Sequence, residues 1–203
     1  MTNHSDSTIA AEQPFAPVRS RTQDLVTAAL VAAIMVVLGP LAINAGAVPI
    51  TLQIFPVVLA ALLLPAEWAA GAMAIYLFLG AVGIPVYAHG GAGLGTLLGP
   101  TGGYIFGFVA AAGLAAVVRK MVCSHVSDGA ADVAAGVTAI VVVYLLGWAW
   151  LAFGPTHIPG ATMAGRALTA FVAGVVPFLI PDAIKAAVAI LVATAVRRAT
   201  LTR

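Results

Sequence analysis

The apolar stretch at residues 167–196 is too long for one straight membrane crossing, which takes roughly 20 apolar residues. Pro177 and Pro181 interrupt this stretch. A proline inside a membrane helix frees backbone groups, which are tolerated only where protein or a polar cavity satisfies them. The sequence therefore predicts a broken membrane segment, in which a first half-segment is followed by a helix that begins near Pro181.

A pair of opposite charges lies just after this break. Asp182 and Lys185 are three residues apart, so on a helix they share one face. A charged side chain at membrane depth costs roughly 2.5–3.5 kcal/mol, and such residues usually line a cavity. Asp182 also follows Pro181 at the predicted helix start, where the helix dipole favours an anion. The pair predicts a substrate site beside a broken helix. The alternative is a self-neutralising pair that fixes helix packing.

The rest of the chain is that of a membrane protein. Of its 203 residues, 62% are hydrophobic and 8% are charged, whereas soluble domains are about half apolar and a quarter charged. We expect an all-α membrane protein, a bundle of six transmembrane helices near residues 24–43, 49–64, 67–84, 99–120, 133–153 and 167–196. The polar residues 1–20 are expected to form a disordered cytoplasmic tail rather than a cleaved signal peptide, and residues 21–203 a single domain.

The distribution of basic residues predicts the orientation of this bundle. The loops after the first, third and fifth spans carry no Lys or Arg before Arg166. Because basic residues concentrate on the cytoplasmic side, both termini are expected to be cytoplasmic. The helix start at Pro181 is then roughly 24 Å from Arg197, which puts the charged pair in the outer half of the membrane. The opposite side of the six-span arrangement carries Arg19, Arg21, Arg119, Lys120, Arg197, Arg198 and Arg203.

A glycine-rich turn is the second candidate for ligand contact. Residues 99–104 read Gly-Pro-Thr-Gly-Gly-Tyr and precede a helix, so backbone N–H groups can face a ligand there. Thr101 offers a hydroxyl, Gly102 allows close approach, and Tyr104 offers a ring with a hydroxyl. The alternative is a tight loop that lets helices pack closely. Gln53, about one turn into the second span, is either a ligand contact or an interhelical hydrogen bond.

Other kinds of chemistry have little support in the sequence. His89 and His157 lie in loops without a metal-ligand motif, so no metal site is expected. The chain has a single cysteine, no paired carboxylate and no recognisable Ser/His/Asp or ATP-binding motif, which disfavours an enzyme. A chain of this kind that moves a solute against a gradient must take its energy from a partner or an ion gradient.

These motifs together resemble the BioY family, the biotin-specific substrate-binding (S) components of energy-coupling-factor (ECF) transporters. The resemblance covers residues 50–190 in consistent order. The matching stretches are Pro-Ile-Thr-Leu-Gln at 49–53, the segment at 76–86, the glycines at 90–95, the turn at 99–104 with Gly107 and Phe108, and Pro177 and Phe178 with Asp182 and Lys185.

The resemblance implies a six-helix bundle in the plasma membrane of a prokaryote, with a biotin pocket near its outer face. The partners it implies are an ECF transmembrane scaffold subunit and two ATPase subunits. ATP is used by those partners, biotin is the transported ligand, and no cofactor is expected on this chain. The implied substrate-binding residues are Gln53, His89, Thr101, Gly102, Tyr104, Phe178, Asp182 and Lys185.

Small residues in the first span fit the same resemblance. Ala28 and Ala32 lie one turn apart, as do Ala29 and Ala33, and this spacing lets another helix approach closely. The pattern also arises easily by chance in an Ala-rich chain. The corresponding face of helix 1 contacts the scaffold in related S components, so these alanines are the expected partner contact.

The chemistry of biotin agrees with these residues, although two of its contacts stay open. Asp182 can accept hydrogen bonds from the ureido N–H groups. Lys185 can pair with the biotin carboxylate or donate to the ureido oxygen, while Tyr104 and Phe178 suit the apolar body. The alternative functions are a self-sufficient secondary transporter and an S component for another vitamin, such as thiamine or riboflavin.

Overall fold

Helices dominate the computed structural model of the protein, which describes residues 20–44, 46–155 and 162–201. Strands β1 (Ala42–Ile43) and β2 (Ile50–Thr51) form an antiparallel hairpin between the first two helices. Short 3-10 turns, Ala88–Gly90 and Val176–Phe178, precede the fourth and eighth helices. The helices are α1 (Arg21–Leu38), α2 (Ile54–Leu63), α3 (Ala66–Ala81), α4 (Gly93–Leu97), α5 (Gly102–Val122), α6 (Asp128–Phe153), α7 (Met163–Gly174) and α8 (Leu179–Leu201).

Four helical segments of the described chain are long and apolar enough to cross a membrane. α2 and α3 are apolar but shorter. The expectation of an all-α membrane protein is therefore confirmed, and helices of spanning length match four of the six predicted spans. These segments are Arg21–Leu38, Gly102–Val122, Asp128–Phe153 and Met163–Thr200, the last of which contains both α7 and α8.

The first span differs at both ends from the range predicted for it. Ser20 caps α1, because its Oγ accepts from the backbone N–H of Gln23 while the Gln23 side chain accepts from the Ser20 N–H. The helix therefore begins before Asp24. It ends at Leu38, where Gly39 and Pro40 follow, both poor helix formers. The residues up to 43, which we expected to be helical, enter the β-hairpin instead.

α2 lies at the centre of the bundle. Nearly every one of its side chains is buried, and the helix packs against α5, α6 and α8. A helix that is apolar on all sides is buried on all sides. This explains why a helix of only 10 residues can carry so apolar a sequence. Its first turn holds Ile54 beside the site described below.

α5 and α6 share the most extensive contact between helices of the described chain, and glycine makes their close approach possible. A Cβ on Gly147 of α6 would lie 2.3 Å from ring carbons of Tyr104 on α5, a separation that no side chain can occupy. The Tyr104 ring consequently lies directly against the α6 backbone. Its hydroxyl donates to the carbonyl of Gly174 at 2.8 Å, which ties α5 to the end of α7.

The break predicted in the last apolar stretch is confirmed. α7 ends at Gly174, the 3-10 turn Val176–Phe178 follows, and α8 begins at Leu179. The helix start is thus slightly earlier than the predicted Pro181. Pro181 lies in the first turn of α8, where the N–H that proline lacks would have had no partner within the helix. Asp182 also belongs to this first turn.

Candidate functional site

A cavity lies where the β-hairpin, the start of α2, the start of α5, the middle of α6 and the start of α8 meet. Most of its lining is apolar or aromatic. Five of the eight residues expected to bind substrate line it: Gln53, Thr101, Tyr104, Phe178 and Asp182.

Asp182 is the charged group of this cavity. Its side chain is 6% exposed, and both carboxylate oxygens accept hydrogen bonds. Lys185 Nζ donates to Oδ1 at 2.7 Å, and Tyr144 Oη donates to Oδ2 at 2.8 Å. The two residues share one helix face as expected, and their ion pair is the arrangement that the alternative, a self-neutralising pair, requires. Lys185 is not among the residues that line the cavity, so its ammonium group acts on the site through Asp182.

Tyr144 is the principal site residue that the sequence reasoning missed. It belongs to α6, is 8% exposed, and lines the cavity beside Val143. It lies 38 residues before Asp182, so no local motif joins the two. The available signal was chemical, because a tyrosine hydroxyl within an apolar membrane helix needs a hydrogen-bond partner.

Gln53 lines the cavity, but its amide is already engaged by the protein. Its Oε1 accepts from Thr51 Oγ1 at 2.8 Å, and its Nε2 donates to Tyr76 Oη at 2.5 Å. Tyr76 in turn donates to the carbonyl of Val86 at 3.1 Å. The chain of bonds joins the β-hairpin, α2, α3 and the loop after α3. Of the two alternatives for Gln53, interhelical bonding is present, and one amide N–H is left to face the cavity.

The turn at residues 99–101 is fixed by packing as well as by its own bonds. Trp150 Nε1 on α6 donates to the carbonyl of Gly99 at 3.0 Å. A Cβ on Gly102 would lie 1.8 Å from the carbonyl oxygen of Leu97. Gly102 is thus required by close packing inside the protein, and it does not line the cavity, contrary to our expectation of ligand approach at this residue. Thr101, one residue earlier, does line it.

His89 does not face the cavity either. Its side chain is exposed, its backbone has a positive φ of 55°, and its N–H donates to the carbonyl of Pro40 at 3.2 Å. The preceding residue, Ala88, lines the cavity instead. His157 lies outside the described residues. Within the described ranges, no group of three or more His, Cys, Asp or Glu side chains could hold a metal ion.

The alanines of α1 divide into two pairs. Ala28 and Ala32 are 4% and 5% exposed and pack inside the bundle, whereas Ala29 and Ala33 are exposed on its outside. The expected contact of all four with a partner therefore needs correction. Ala28 and Ala32 are covered by residues of the chain itself, so a partner helix could not reach them without displacing those residues. Ala29 and Ala33 are the accessible pair.

A second buried carboxylate lies far from the cavity, near the start of α6. Asp132 is 1% exposed. Arg119 of α5 donates to its Oδ1 at 2.7 Å, and Arg197 of α8 donates to its Oδ2. Arg197 also donates to the carbonyl of Leu62 in α2 at 3.3 Å. These bonds join four helices at the end of the bundle that carries the basic residues.

The comparisons with known proteins agree with the resemblance. The family model described as BioY family matches residues 8–202. A probable biotin transporter BioY from Pyrococcus horikoshii is 36% identical over 173 residues, covering 85% of this chain and 95% of that protein. The biotin transporter BioY of Thermotoga maritima is 36% identical over 176 residues, covering 87% and 96%.

The fold also matches a solved structure. A crystal structure described as the S-component for biotin from an ECF-type ABC transporter superposes with a TM-score of 0.74 at 24% sequence identity. The match covers 89% of this chain and 95% of that one. The chain thus has the fold of an S component.

Proposed function

The chain belongs to the BioY family, and we propose that it is a biotin-binding membrane subunit that mediates biotin uptake. The observation that carries this proposal is the buried Asp182, the one charged group among the described residues of a cavity lined mostly by apolar and aromatic side chains. Curated relatives that match most of the chain are named as biotin transporters. The family consists of transport components rather than enzymes.

The polar groups of the cavity suggest how biotin is oriented. The ureido ring supplies N–H donors, and Asp182 is the only carboxylate among the described lining residues. We therefore assign the ureido ring to the Asp182 end of the cavity. The apolar thiophane body then lies against Phe108, Phe178 and the Tyr104 ring.

The biotin carboxylate is assigned to the opposite end. The described lining residues include no Lys or Arg, and the Lys185 ammonium group already contacts Asp182. Thr101 offers a hydroxyl immediately before α5, where the helix dipole favours an anion. We therefore propose that Lys185 neutralises Asp182, and that it neither pairs with the biotin carboxylate nor donates to the ureido oxygen, the two roles that the sequence left open.

We further propose that residues 21–203 form one domain that crosses a prokaryotic plasma membrane six times, with both termini cytoplasmic. The shorter apolar helices α2 and α3 contribute to the two additional crossings. The concentration of basic residues at the end that holds Arg119 and Arg197 supports this orientation. The cavity, at the other end, then opens toward the outside, where biotin arrives.

Energy for uptake is proposed to come from partners. An ECF scaffold subunit and two ATPase subunits would bind the protein, and the exposed Ala29 and Ala33 suit close approach of a scaffold helix. No ATP-binding motif is present in the sequence. A self-sufficient secondary transporter would instead need its own ion-coupling site.

Two experiments test the proposal. Titration calorimetry on the purified protein, with biotin, desthiobiotin, thiamine and riboflavin, should show binding of the two ureido compounds only. Binding of thiamine or riboflavin, with none of biotin, would overturn the ligand assignment. Uptake of labelled biotin into proteoliposomes should require the scaffold and ATPase subunits; concentrative uptake without them would establish the secondary transporter instead.

A further inference from the structure

We infer that Tyr144 is a positioning residue that holds Asp182 so that its free lone pairs face the ligand, and that it thereby sets selectivity for ureido N–H donors. The inference rests on the proposed function. Two side chains on different helices donate hydrogen bonds to Asp182. Lys185 belongs to the same helix as Asp182, whereas Tyr144 belongs to α6.

The two donors consequently do different things. Lys185 and Asp182 are one turn apart on α8, so their bond moves with the helix and leaves the carboxylate free to turn about its own side-chain torsions. The Tyr144 hydroxyl fixes Oδ2 relative to another helix. The tyrosine is itself nearly buried beside the α6 backbone, so its position does not depend on a ligand. Lys185 supplies charge, and Tyr144 supplies orientation.

Counting acceptor sites shows what is left for a ligand. An ionised carboxylate has about four lone-pair positions. Lys185 uses one on Oδ1 and Tyr144 one on Oδ2, which leaves roughly one on each oxygen. The Tyr144 oxygen also keeps acceptor capacity because its only hydrogen is donated to Asp182. This corner of the cavity therefore presents acceptors alone, and a ligand must bring N–H or O–H donors to it.

A ligand without such donors should bind more weakly, and the loss of affinity should depend on Tyr144. A methyl group on a ureido nitrogen removes the N–H and places an apolar group against the oriented oxygens. Without the tyrosine hydroxyl, the carboxylate can turn away from the methyl group at little cost. The Tyr144 hydroxyl should thus raise the affinity for biotin more than the affinity for the methylated analogue. A defect of folding or of cavity shape would instead weaken the binding of both ligands.

The test measures the dissociation constants of biotin and of biotin methylated at each ureido nitrogen in turn, using the full-length protein and calorimetry. For Tyr144→Phe we expect biotin to bind roughly tenfold more weakly or worse, since the hydrogen bond to a charged group is lost. At least one methylated analogue should lose less than about threefold. Tyr144→Leu repeats the measurement with a second side chain that lacks the hydroxyl, and thermal unfolding checks that each variant is folded.

Tyr104→Phe is the matched control. Its hydroxyl also lies at the cavity but donates to the carbonyl of Gly174 rather than to Asp182. Removing it should change the affinities for biotin and for the methylated analogues by the same factor. The inference is overturned if Tyr144→Phe and Tyr144→Leu leave biotin affinity unchanged, or weaken all ligands equally. Failure of the unaltered protein to bind biotin would instead overturn the proposed function.

Discussion

Replacing Asp182 by Asn tests the ligand site with the smallest possible change of shape. Asn keeps one acceptor oxygen and exchanges the other for an NH₂ group. To satisfy Lys185, which donates at 2.7 Å, the amide oxygen must turn toward the ammonium group, and the NH₂ group then faces Tyr144 and the cavity. A donor replaces an acceptor where the ureido N–H is proposed to bind. A hydrogen bond to a charged group is worth about 1.5–3 kcal/mol, so biotin affinity should fall at least tenfold, and by up to about 150-fold.

The assay is titration calorimetry in detergent or nanodiscs, with a double variant as control. Asp182→Asn alone leaves the Lys185 ammonium group without its counter-charge, although the lysine side chain is only 11% exposed. Breaking a buried pair costs about 3–5 kcal/mol of stability, so the melting temperature should fall. Combining Asp182→Asn with Lys185→Met removes both charges and should recover the melting temperature without recovering affinity. If the double variant regains biotin binding, or if Asp182→Asn binds within threefold of the unaltered protein, the carboxylate acts only in packing and the reasoning is refuted.

Three further predictions concern other parts of the molecule. Asp132→Asn should lower the melting temperature, because it leaves two arginines facing a neutral amide at a buried position, yet change biotin affinity less than twofold in the folded protein; a tenfold loss of affinity would contradict the separation of the two ends. Ala29→Leu should reduce co-purification of the scaffold subunit and leave biotin binding intact. Ala187→Leu, at a site on α8 that is also exposed, should leave both co-purification and biotin binding unchanged; equal effects of the two substitutions on co-purification would argue against a specific α1 contact. Biotin methyl ester should bind within about tenfold of biotin, as expected when the carboxylate meets the Thr101 hydroxyl and a helix dipole rather than an ammonium group; a loss beyond 100-fold would return the carboxylate to Lys185.

The sequence was most informative where a local pattern has only a few physical solutions. Two prolines in an overlong apolar stretch predicted the break between α7 and α8. The spacing of Asp182 and Lys185 at i and i+3 correctly placed both on one helix face, where they form an ion pair. Gln53, Thr101, Tyr104, Phe178 and Asp182 line the cavity, as expected.

Other features depend on the relative positions of helices, which the sequence does not record. Tyr144 meets Asp182 only because α6 packs beside α8. The burial of Ala28 and the exposure of Ala29 follow from the rotation of α1 about its own axis, which its nearly uniform apolar sequence leaves undetermined. The sequence likewise does not determine which group occupies the space beside Gly102. Glycine permits close approach by a ligand or by the protein itself, and here the Leu97 carbonyl takes that space.

Two buried carboxylates connect α6 to α8, and together they explain how the cavity can be ready before a ligand arrives. Asp132 on α6 binds Arg197 on α8, and Tyr144 on α6 binds Asp182 on α8. These connections are about 18 Å apart along α6 and about 22 Å apart along α8, at 1.5 Å per residue, so the helices run antiparallel with a polar connection near each end. Sliding of one helix along the other would break both connections. It would separate Arg197 from Asp132 and leave the buried Tyr144 hydroxyl without its acceptor, although Asp182 would keep Lys185 and Asp132 would keep Arg119. Either connection alone opposes this sliding, so the Tyr144 hydrogen bond keeps the Asp182 acceptors in place even when the Asp132 connection is weakened. Because binding does not have to order them, more of the ureido hydrogen-bond energy is available as affinity.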